Sequence, residues 1–182
     1  PCRFGYYAQV QRDILQALGY EFTMLVIEPP LGHAKEVLTV AKILKENKSW
    51  WTLVKAVWLA LTKLRACDDV HRASLYLRPR VEDRAGFGRL YQRYLAKIDR
   101  AASPGEVRKI ARVSLAEMHN LPQLAVRPPK VALVGEVYLI TEPAANLYIE
   151  DKLGNLGIEV VRHVWISEWL RVNIILDFLR LH

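Results

Sequence analysis

Apolar positions recur along this chain with two different spacings. Phe4, Tyr7, Ala8, Ile14, Leu15 and Leu18 follow the 3.6-residue period of an amphipathic helix, and Gly19 supplies a natural stop. The pattern then changes. "FTMLVI" (22–27) is a continuous apolar, partly β-branched run closed by Pro29 and Pro30, the mark of a buried strand. The chain thus opens as helix, glycine, strand.

Residues 31–126 contain no comparable strand. "HAKEVLTVAKILKEN" (33–47) reads as a helix, followed by a longer helical pattern over 49–77. Trp50, Val54, Val57, Trp58, Leu61 and Leu64 form the apolar stripe of the latter, and the expectation is that they pack into a core. Residues 82–102 repeat the pattern. Phe87, Leu90, Tyr91, Tyr94, Leu95 and Ile98 share one face, with most of the arginines and lysines on the other. Ser103 followed by Glu106 is a capping box, and Pro104 sits at the first helical position, so a helix begins there. Val107, Ile110, Ala111, Ser114, Leu115 and Met118 form its inner stripe, and Pro122 lies beyond its end.

"RPPK" (127–130) marks a boundary. The run "VALVGEVYLI" (131–140) predicts a buried strand, 143–157 a short helix with Ile149, Leu153 and Leu156 inside and Gly157 as its cap, and 158–166 a second strand. That succession is a βαβ unit with parallel strands. A further helix starts at Ser167. The expected class is α/β, with Rossmann-like parallel-sheet pieces at both ends and a helical block between. The corresponding division is 1–32, 33–126 and 127–182. Neither end holds enough strands for a sheet of its own, so the pattern reads as a fragment carrying the end of one Rossmann-like domain and the start of another.

Composition changes this picture little. The chain has 182 residues, 52% hydrophobic and 25% charged, enough to bury a core. Its formal charge is +7, but acids and bases are interspersed, so the charge alone does not point to nucleic acid. Two cysteines make no disulfide framework and suit a reducing, cytoplasmic compartment. No secretory leader is visible. The most apolar stretch, "AVWLALT" (56–62), lies between Lys55 and Lys63, far short of the about 18 residues that span a membrane.

Candidate chemistry is sparse. Ligands of parallel sheets bind beyond the carboxyl ends of strands, which draws attention to Gly135, Glu136 and the loop "TEPAAN". No dinucleotide fingerprint, phosphate-binding loop or nucleophile elbow occurs. The histidines are His33, His71, His119, His163 and His182. Only Cys67 and His71, four residues apart on one helix, share a spacing fit for a metal, and two ligands fall short of four. Asp68 and Asp69 beside them read as a solvated face. Cys2 precedes Arg3 and a helix start, which favours a thiolate. It is either an ordinary buried thiol or a ligand whose companions lie elsewhere.

Two segments together suggest more. "PCRFGYYAQVQRDILQALGYEFTMLVIEPP" and "PPKVALVGEVYLITEPAANLYIEDKLGNLGIEVV" resemble segments of the 2-hydroxyacyl-CoA dehydratase D-component family. The nearest branch is that of the CoA-substrate-specific enzyme activases and double-cubane-cluster proteins. "LRPRVEDRAGFGRLYQRYLAKI" between them is similar to the family's helical section. The resemblance implies an iron–sulfur cluster held by cysteines, low-potential electron transfer, and an ATP-hydrolysing activator as partner, with a homodimer as a further candidate assembly. It implies that Cys2 is a cluster ligand and leaves Cys67, Gly135 and Glu136 without a role. The family's upstream cysteines and its downstream Phe-Gly-Cys motif are missing, so one candidate ligand is present and no cluster is complete in these 182 residues. The alternative is a non-catalytic interaction module with a helical docking surface.

Overall fold

The structure, a computed structural model, describes residues 4–22, 24 and 34–179. Eight α-helices account for most of them: α1 Phe4–Ala17, α2 Ala34–Lys45, α3 Trp50–Leu77, α4 Arg84–Arg100, α5 Pro104–His119, α6 Val137–Thr141, α7 Ile149–Asn155 and α8 Ile166–Leu179. A 3₁₀ turn, Arg78–Arg80, follows α3. Two three-residue strands, β1 Lys130–Ala132 and β2 Glu159–Val161, form the one sheet among the described residues. The expected α/β class with Rossmann-like pieces at both ends is therefore overturned: the chain is mainly helical. The strand expected at 22–27 lies largely outside the described residues.

The chain divides into two units, one drawn from residues 1–53 and 171–182, the other Val54–Leu170. In the first, α1 ends as its sequence requires. Gly19 has φ +81°, and Tyr20 N–H donates back to the Leu15 carbonyl at 3.0 Å.

The second unit holds the core. Val70 and Leu77 of α3, Phe87, Tyr94 and Ile98 of α4, and Val107 and Met118 of α5 are buried in one cluster. The inner faces of α4 and α5 are those their periodicities predict. Their caps also follow the sequence: the Asp83 carboxylate accepts from Gly86 N–H at 2.7 Å, and the Ser103 hydroxyl from Glu106 N–H at 3.2 Å. The Glu106 carboxylate reaches one residue beyond the cap and accepts from Ala102 N–H at 2.9 Å, so only the Ser103 half of the expected box forms.

The stripe on the first half of α3 does not pack as expected. Trp50, Val54, Val57, Trp58 and Leu61 are exposed, Trp58 at 59%, and the buried positions of α3 begin only at Ala66. Periodicity marks a face; whether that face meets a neighbour depends on where the other elements lie.

β1 and β2 pair in parallel, with Lys130 opposite Glu159, Val131 opposite Val160 and Ala132 opposite Val161. The expected strand over 131–140 stops after Ala132. Glu136 is the reason. Its carboxylate Oε2 accepts from Tyr138 N–H at 2.9 Å and Leu139 N–H at 3.3 Å, which caps α6 and turns the apolar run "VYLIT" into a helix. The expected second strand shortens likewise from 158–166 to Glu159–Val161. Gly157, at φ +83°, ends α7 as predicted, but Leu156 is 74% exposed instead of inside. A second small cluster joins Leu75, Val160 and Trp165, with Leu133 and Leu153 against it, and so seats the sheet on the end of α3.

Candidate functional site

Where α3, α4 and α7 meet the segment after β2, charged and aromatic side chains converge. His71 on α3 takes two partners. Its Nε2 lies 2.9 Å from Glu150 Oε2 on α7, and its Nδ1 lies 2.5 Å from the Tyr91 hydroxyl on α4. A carboxylate only accepts, so Nε2 carries the hydrogen, and in the neutral imidazole Tyr91 donates to Nδ1. Burial, seconded by Asp151, pushes the Tyr91 phenol well up against the opposing pull of Arg78, so it stays protonated.

Arg162, the first residue after β2, donates from Nη1 to Glu150 Oε1 at 3.4 Å and to the Ile140 carbonyl at 3.2 Å. Its guanidinium lies 4.1 Å from the centre of the Trp165 ring, Arg72 lies 4.5 Å from the same ring, and His71 meets it edge-on. The Glu150 and Arg162 side chains are 6% and 7% exposed. A buried ion pair of this kind is retained through its hydrogen bonds, since desolvation offsets much of the attraction. Asp68, one turn before His71, is also buried. Its carboxylate accepts from Ser167 N–H at 2.8 Å and holds the first turn of α8. The expectation that Asp68 belongs to a solvated face is corrected accordingly.

Beside this network lies an open groove of about 470 Å³, bordered by Arg78, Arg84, Arg89, Gln92, Asp151 and Asn155. Arg78 is the link between the two. It pairs with Asp151, and its guanidinium sits 5.8 Å from the centre of the Tyr91 ring. His71, Tyr91 and Glu150 do not border the groove. An imidazole between a phenol and a carboxylate is a chemically competent proton relay, but here it is closed off, and its effect is to fix the relative positions of four elements.

The residues singled out by sequence are scattered. Cys2 lies outside the described residues, as do His33 and His182. Cys67 is a free, partly buried thiol at the edge of the main core. Burial, then Asp68 and Asp99, push it up against the pull of Lys63, which keeps it protonated and a poor ligand. His71 shares its helix face, yet both its ring nitrogens are engaged elsewhere. No three His, Cys, Asp or Glu side chains come together as metal ligands among the described residues. Gly135 precedes the α6 cap, and Glu136 forms it. His119 caps its own helix by contact with the Leu115 carbonyl at 2.7 Å. Sequence reasoning missed Glu150 and Arg162, and no local signal marks them: Glu150 and His71 stand 79 residues apart.

In comparisons with known proteins, the chain matches no family model, no curated protein and no solved structure. Among the described residues, no helix is long and apolar enough to cross a membrane.

Proposed function

We propose that this chain is part of an iron–sulfur protein resembling the 2-hydroxyacyl-CoA dehydratase D-component family, to which it contributes one thiolate and a helical scaffold. The observation that carries the reading is a pair of motifs in the family's order, "PCRFG" at 1–5 and "VGEVY" at 134–138. A positional role for the second motif is supported by Glu136, whose side chain starts a helix at the end of β1.

The described residues do not fit a cluster. They hold no ligand set, and Cys67 is kept as a thiol. In this reading Cys2 is a single soft, anionic ligand and the remaining sulfurs come from polypeptide outside these 182 residues. No chemical step is assigned to the helical unit. The partner the reading calls for is an ATP-hydrolysing activator.

The test is anaerobic reconstitution of the longer polypeptide with iron and sulfide, followed by iron analysis and visible absorption, for the parent and for Cys2→Ala. The parent is expected to take up a cluster and the variant to lose it. A parent that takes up no iron, or a variant that holds it equally well, overturns the proposal.

A further inference from the structure

We propose that the groove between α4 and the end of α7 is a binding site for a small molecule bearing phosphate groups. At about 470 Å³ it is within the range of small-molecule sites. Ala85, Gly88, Arg89 and Gln92 stand at helical spacing on one face of α4. The first two are small and leave the floor bare: a Cβ added at Gly88 would meet nothing within 4 Å. The polar side chains Arg89 and Gln92 flank that floor.

Two more arginines border the groove, Arg78 from the 3₁₀ turn and Arg84 from the first turn of α4. Arg84 Nη1 donates to the Asn155 carbonyl at the end of α7 at 3.0 Å, while its Nε is buried without a hydrogen-bond partner among the described residues. Arg78 runs across α7 at Gly154, where a Cβ would fall 2.8 Å from its Cδ, and Arg84 passes Gly157, where a Cβ would fall 3.0 Å from its Nη2. Two glycines thus clear the paths of two guanidiniums. One carboxylate, Asp151, borders the groove, and Arg78 already engages it. Arg89 has only a 3.9 Å approach to Asp83, both side chains being mostly exposed. Three arginines against one aspartate leave a net charge of +2 (three minus one) at the groove.

Guanidiniums from the 3₁₀ turn, the first turn of α4 and its middle border the same groove. That arrangement suits a tetrahedral phosphate, whose oxygens point apart, better than a single planar carboxylate. The inference is independent of the iron–sulfur reading and stands if that reading fails.

The experiment is isothermal titration of the full chain with inorganic pyrophosphate and, separately, with citrate, at low and at moderate salt. Two variants accompany it. Arg89→Gln removes an exposed charge, and Gly88→Leu fills the floor while keeping every charge; circular dichroism confirms that each folds. Pyrophosphate is expected to bind one-to-one and more tightly than citrate. Arg89→Gln should weaken it about ten-fold, the loss of one charge-assisted hydrogen bond, and Gly88→Leu should abolish it. Absence of pyrophosphate binding, preference for citrate, or binding that folded Gly88→Leu leaves unchanged overturns the proposal.

Discussion

Replacing Glu150 by leucine asks how much of the Val54–Leu170 unit depends on its buried network. The carboxylate is 2.9 Å from His71 Nε2 and 3.4 Å from Arg162 Nη1. Without it, Arg162 remains buried, its Nε already without a hydrogen-bond partner among the described residues, and keeps only the Ile140 carbonyl and the Trp165 ring. Breaking one side of such a pair costs about 3–5 kcal/mol, against a total domain stability of about 5–15 kcal/mol. Arg162→Met alone is expected to cost about 3 kcal/mol for the mirror-image reason. The double variant is the decisive one. With both charges gone, what remains is a His71 N–H without an acceptor, about 1–3 kcal/mol, and the lost contact of a cation with an aromatic ring, up to about 2 kcal/mol. Adding Arg162→Met to Glu150→Leu should therefore cost nothing further and should recover part of the loss. Urea unfolding of all four proteins, followed by near-ultraviolet circular dichroism, gives the free energies by linear extrapolation. If the two single costs simply add to within about 0.5 kcal/mol, the pair is not coupled and the network account is wrong.

Other outcomes follow from the same geometry. Gly154→Ala gains up to about 1 kcal/mol of helix propensity but drives a Cβ against Arg78, where overpacking costs about 1–3 kcal/mol; thermal melts should show a net loss that becomes a gain in an Arg78→Ala background. Trp58→Glu should leave stability within about 0.5 kcal/mol because the side chain is exposed, whereas Phe87→Ala, at 2% exposure, should cost about 3–5 kcal/mol. Equal costs in urea titrations would restore the packed stripe on α3. Burial pushes the Glu159 carboxyl up, but the hydrogen bonds and charges of Arg80 and Lys130 outweigh it and hold it below the usual range. A depressed folded value means stabilisation that is present above the unfolded carboxylate value of about 4.3 and lost as the pH falls through the folded one. The melting midpoint should fall more steeply on acidification in the parent than in Glu159→Gln, and parallel curves would remove Glu159 from the account.

The helices were legible because their signals are local. The Ser103 cap, Pro104 beside it, Gly19 and Gly157 at positive φ, and the apolar faces of α4 and α5 all lie within a turn or two of the chain they organise. The βαβ order and parallel pairing were legible as well, but not strand lengths. A β-branched run such as 131–140 is consistent with either state, and one carboxylate, Glu136, decides against the strand by satisfying two helix-start N–H groups.

Sequence by itself determined the start of α5, the glycine stops after α1 and α7 and the apolar faces of α4 and α5, since those depend on neighbours three or four residues away. Tertiary structure alone decided which faces are covered: the Trp58 face of α3 is not, and the Phe87 face of α4 is. It alone paired His71 with Glu150 and Arg78 with Asp151, across 79 and 73 residues, and turned Asp68 from a surface acid into the cap of α8. The physical reason is that burying a charge is unfavourable unless a partner arrives with it, and that partner is supplied by the packing of distant helices, which no local pattern encodes.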